Sequence, residues 1–81
     1  MKHRYDPNVP LAMQLDVVAA VSEDPTTQGL LMVVRDGLDL RATNFYTNPT
    51  GANLMDLVGW WTRAVKLLES TPRRGTASEG A

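Results

Sequence analysis

Apolar and polar positions are most regularly patterned in the middle of the chain, where Leu30 to Arg35 and Leu38 to Thr43 flank Asp36-Gly37. An Asp-Gly pair between apolar runs supplies the positive φ values of a two-residue type I′ turn, so this spacing predicts a β-hairpin. With Arg35 opposite Leu38, one face carries Leu31, Val33, Leu38, Leu40 and Ala42 as core. The other carries Leu30, Met32 and Val34 beside Asp39, Arg41 and Thr43. Two strands alone are marginal in water. The hairpin therefore asks for a helix on its core face and a second copy along its first strand, which would make a four-stranded antiparallel sheet.

Helical periodicity brackets the hairpin. Asn8 can cap a first helix running to about Ser22, with Pro10 in its first turn and Leu11, Leu15 and Val18 on one stripe widened by Val17 and Val21. A strand over Leu15 to Val21 is the competing reading, but LDVVAAV lacks strict alternation. Glu23-Asp24-Pro25, followed by Thr26, Thr27 and Gly29, reads as a breaker and loop. A closing helix should start near Asn48-Pro49, or with Thr50 as its cap, and run to about Glu69. Leu54, Leu57, Val58, Trp60, Trp61, Ala64, Val65, Leu67 and Leu68 fill about half of its circumference. A hairpin needs only about 100° of that arc, so the part centred on Trp60, Ala64 and Leu67 calls for a further partner.

The expected architecture is thus α+β. Residues 9–69 form one αββα domain, with the antiparallel hairpin packed on the amphipathic C-terminal helix and the sheet extended by dimerisation. Residues 1–8 read as a flexible N-terminus. Residues 70–81, beginning STPRRG and without apolar content to bury, read as a disordered tail.

Composition narrows the chemistry. A chain of 81 residues is one domain at most, and a lone core of that size is marginal. A net charge of −1 gives no broad attraction for nucleic acid or anionic lipid. The absence of cysteine excludes disulfides, thiol nucleophiles and cysteine-ligated metals. MKHRYDPNVP has no apolar run of signal-peptide length, and Val17 to Val21 is too short to span a bilayer, so the expected location is cytoplasmic.

No catalytic signature is visible: no nucleophile elbow, P-loop, dinucleotide fingerprint or H-x-x-x-H, and Asp16, Asp39 and Asp56 lie on separate elements. His3, the only histidine, has no carboxylates at ligand spacing. No enzyme activity, cofactor or metal is therefore expected. Adjacent Trp60 and Trp61 point about 100° apart on a helix and cannot share one stacking face, so packing is preferred for both, with Trp60 as interface anchor. The expected partner or oligomer interface comprises Leu30, Met32, Val34, Trp60, Ala64 and Leu67. The loop NFYTNPTG places Asn44, Tyr46, Asn48 and Thr50 before a helix N-terminus, where backbone N–H groups can hold an anion. With Arg41, paired across a two-fold axis, these form a candidate ligand site for a nucleotide-like molecule.

A valine-rich opening helix, GLLMVVRDGLDLRATNF as a hairpin and LMDLVGWWTRAVKLLES as a closing helix together resemble small uncharacterised proteins of phages and prophages. The resemblance covers residues 15–69, departs at the paired tryptophans and carries no catalytic residue. It implies an accessory role, binding and inhibiting or modulating a host protein in the host-cell cytoplasm. Three functions follow as expectations. The first is a non-catalytic, homodimeric protein-interaction module or inhibitor. The second is an oligomeric sequesterer of a small molecule or nucleotide. The third is a nucleic-acid-binding regulator, disfavoured because the exposed face of the closing helix offers only Arg63 and Lys66 as cations.

Overall fold

The computed structural model describes residues 3–72, and they fold as three helices: α1 (Leu11–Val21), α2 (Pro25–Thr47) and α3 (Gly51–Ser70). No hairpin or sheet forms among the described residues, so the αββα reading is corrected to an all-helical domain. Of the expected tail over residues 70–81, Ser70 ends α3 and Thr71 is buried, while residues 73–81 lie outside the described residues.

The segment read as two strands is the middle of α2. Its start is set by Asp24, whose carboxylate accepts from the Thr27 N–H (3.2 Å) and hydroxyl (2.6 Å), followed by Pro25 in the first turn. The Asp-Pro pair read as a breaker is an N-cap with proline where its missing N–H costs nothing. Within α2, Leu31, Val34 and Leu38 are buried and Ala42 and Phe45 half-buried, the i, i+3, i+7, i+11, i+14 spacing of one helical stripe. The run Leu30 to Val34 is apolar at every position and satisfies either period. A helix closes its backbone hydrogen bonds locally, whereas a lone hairpin leaves both edges open. With no strand edge at Leu30 to Val34, the four-stranded sheet also falls.

The first helix begins differently from expectation. Asn8 is not its cap: the N-cap position is Pro10, with no side-chain bond. The turn before it is held instead by Gln14, whose amide donates to the Asp6 and Val9 carbonyls (2.8 Å each) and accepts from the Asp6 N–H (3.0 Å). For α3, Thr50 is the cap, its hydroxyl accepting from the Asn53 N–H at 3.1 Å.

α2 and α3 form a long antiparallel helical hairpin, and α1 folds back along the first half of α2. Asp16 meets Arg35 at 3.2 Å, and the Gln28 amide donates to the Ala19 carbonyl at 2.8 Å. Leu11, Leu15, Val18 and Ala19 of α1 bury against Leu31, Val34 and Leu38 of α2 and Ala64 and Leu68 of α3. Where α1 reaches it, at Ala64 and Leu68, the arc of α3 that seemed too wide for a hairpin is used by two helices at once. Residues before α1 lie along the end of α3: the His3 N–H donates to the Thr71 carbonyl (3.3 Å), the Tyr5 N–H to Glu69 Oε2 (3.3 Å), and the Tyr5 ring sits edge-on to Trp61 at 6.4 Å.

The Asp24 cap carries a pH signature. Donation from the Thr27 hydroxyl, and then from the Thr27 N–H, holds its carboxyl below the ordinary 3.8. A depressed folded value means that the stabilisation is present above 3.8 and is lost as pH falls through the folded value. Thermal midpoints of the wild type should exceed those of Asp24→Ala by a constant margin from neutral pH down to about 5, and the gap should narrow below 3.8. A gap indifferent to acid would show that the carboxylate does not cap α2.

Candidate docking surface

The buried core occupies only one half of the helical hairpin. By the usual rise, α2 is about 35 Å long and α1 about 17 Å, so α1 can cover no more than half of it. Between Leu38 in α2 and Ala64 in α3 no residue is buried. This distal half is two helices thick, with Phe45, Leu57 and Trp60 half-buried between them and, among the described residues, no third layer above.

The side from which α1 is missing can be located by periodicity. On α2, Arg35 contacts α1, and Ala42 and Tyr46 continue the same line at i+7 and i+11. On α3, Trp61 touches Tyr5 where the α1 layer begins, and Val58 and Leu54 continue that stripe towards the tip. These side chains stay open: Tyr46 is 80% exposed, Val58 49%, Leu54 43% and Trp61 42%. We call this uncovered surface the front face.

The front face is free of charge. From Leu40 to Thr62 the only ionisable acidic or basic side chains are Arg41 and Asp56, and they pair with each other at 3.4 Å. Arg41 also lies over the Trp60 ring, 4.4 Å from its centroid, and Arg63 lies 4.9 Å from the same ring. The tryptophan that these cations grip occupies the opposite side of the hairpin, over Gly37, where an added Cβ would lie 2.6 Å from Trp60 Cε3 and Cη2.

The residues expected at an interface divide. Val34 and Ala64 are core. Trp60 and Leu67 are partly buried against that core, and Leu30 and Met32 are exposed on α2. Of the expected ligand residues, Arg41 is engaged by Asp56 and Trp60, away from the loop. Asn44, Asn48 and Thr50 build the turn between α2 and α3. The Asn44 carbonyl accepts from the Asn48 N–H (3.0 Å), and the Asn48 carbonyl accepts from the Thr50 N–H and the Asn53 amide (2.8 Å each). Their polar groups close the helix ends, as turn chemistry requires. Tyr46 stands clear of that network beside Phe45, with ring centroids 6.2 Å apart.

Two acidic residues that looked scattered do converge. Asp16, Asp36 and Asp39 all approach the Arg35 guanidinium, at 3.2, 3.3 and 3.0 Å. Asp36 foremost, then Asp39 and Asp16, raise that cation's pKa above its ordinary value, and the Asp16 contact fastens α1 to α2. No group of three or more metal-ligating side chains occurs among the described residues, and no described helix is long and apolar enough to cross a membrane.

Sequence reasoning missed the front face itself. Its signal was present in the near absence of charge from Leu40 to Thr62 and in the i, i+4, i+7 stripe of Leu54, Val58 and Trp61. No protein-family model, curated protein or solved structure matches the chain.

Proposed function

We propose that the protein is a non-catalytic helical docking module that binds protein through the front face of its distal hairpin. The observation that carries this reading is the uncovered apolar stripe of Leu54, Val58 and Trp61 with Tyr46 opposite, on a half-hairpin whose one ion pair is internal. Interface centres are depleted in charge and enriched in Tyr, Trp and Met. Inhibition or modulation of a host protein, the role implied by the phage resemblance, is one use of such a surface. That proposal rests on the surface alone, because the β-hairpin of the quoted layout does not form and its residues belong to α2.

A small anionic ligand is less well supported. The cation nearest the tip is neutralised by Asp56, and the loop's polar atoms serve the turn. The test is photo-crosslinking in cells that make the protein, with p-benzoylphenylalanine in place of Val58 or, as a control, of Lys66 on the outer side of α3. A discrete adduct at position 58 and none at 66 is the expected result. No adduct at 58 would overturn the docking reading.

A further inference from the structure

We infer that the occupant of the front face is a second copy of this chain, the two distal hairpins packing face to face about a two-fold axis as a four-helix bundle. The inference rests on the docking reading above and goes beyond it by naming the partner.

Length, charge and area point to this occupant. α1 supplies the third layer for half of the hairpin, and the uncovered remainder is about 17 Å, as long as α1 itself. A second hairpin laid antiparallel on that remainder meets the first copy's α1 end-on, so each copy completes the layer that the other lacks. A two-fold axis places one patch against itself, so a patch with net charge would repel its own image. This one carries no charge, because Arg41 and Asp56, the only acidic and basic side chains from Leu40 to Thr62, pair with each other on the other side of the hairpin. Chemistry that would recognise a nucleic acid, a phosphorylated peptide or an acidic helix is missing from it.

The face is two helices wide, comparable with the 22 Å middle dimension of the molecule. Burying it would cover on the order of 600 Å² per copy, which places the pair at the lower edge of specific interfaces, near 1,200 Å² in total. An association in the micromolar range follows, with Tyr46 and Trp61 as the anchors. The apolar residues left open on the other side, Leu30, Val33 and Leu40 of α2, border the charged Arg41, Asp56 and Arg63 cluster and lack this self-complementarity.

Sedimentation velocity of the full chain from about 1 to about 100 µM tests the inference. The expected result is a monomer–dimer equilibrium that Val58→Glu weakens by about 100-fold or more, because two carboxylates would face each other across the axis. Val33→Glu, on the opposite side, should leave it unchanged. Circular dichroism checks that each variant folds, and Tyr46→Glu, at a position outside the core, gives the same reading if Val58→Glu does not fold. A dimer that survives both front-face variants, or one that Val33→Glu dissociates, would overturn the inference. So would a monomer at every concentration. If that monomer still cross-links from position 58 to another protein, the docking reading stands without the second copy. If it neither cross-links nor associates but pellets with phosphatidylcholine vesicles, both are overturned in favour of a lipid surface.

Discussion

Leu31→Ala is expected to remove about 2–5 kcal/mol of stability, whereas Val33→Ala should change it by less than about 0.5 kcal/mol. The two residues are separated by one position and would share the core face of a hairpin. In α2 they lie about 200° apart, Leu31 being fully buried and Val33 64% exposed. Truncating Leu31 leaves a cavity where α1 and α3 meet α2, and the surrounding side chains can collapse only partly. A domain of this size carries about 4–10 kcal/mol in total, so the loss is a large part of it. Replacing Val33 removes exposed surface and relieves a β-branched residue in a helix, two small effects of opposite sign. Urea titrations followed by helical circular dichroism separate the cases. Equal losses at both positions would restore the strand reading.

Gly37→Val is the second large effect, expected to cost about 1–3 kcal/mol although Gly is the poorer helix former. Gly37 has no unusual backbone requirement. It is needed because the Trp60 ring fills the space that its side chain would take. Any Cβ there must push the ring out of its contact, and the ring is also held by Arg41 and Arg63. Moving it forfeits cation–π attraction of about 0.5–1 kcal/mol per exposed pair. Trp60→Leu vacates the notch, so the double variant Gly37→Val/Trp60→Leu should be more stable than the sum of the single changes predicts, by about 0.5–3 kcal/mol. Strict additivity in the denaturation series would show that Gly37 and Trp60 do not share that space.

These two sites also explain which parts of the fold could be read in advance. The closing helix was legible because its apolar arc is broad, its flanks are polar and Thr50 stands at a capping position. The same arc hid which of its residues face inward: Ala64 is core because α1 arrives there, and Val58 is open because α1 has already ended. That distinction depends on the length of another element. α2 was illegible for a different reason. Five consecutive apolar residues fit both periods, and each of its punctuation marks has two meanings. Asp24-Pro25 can break a chain or start a helix, and Asp36-Gly37 can turn a chain or make room for a ring. Only the partner ring of Trp60, distant in sequence, decides the second case. The candidate interface suffered likewise, since Val34 was assigned to the outer face of a strand and lies inside a helical core.

The hydrogen bond from His3 to Thr71 brings the two ends of the described chain together beside the last turn of α3. In a molecule whose longest dimension is 47 Å, that junction and the Asn48–Thr50 turn lie at opposite poles. The domain is therefore polar in its wiring as well as its packing. Anything fused before His3 or after Thr71 leaves from one pole, and the other pole stays clear. A fluorescent protein, a surface tether or a second domain joined directly at His3 or Pro72 would begin about 30 Å, the length of α3, from the distal turn.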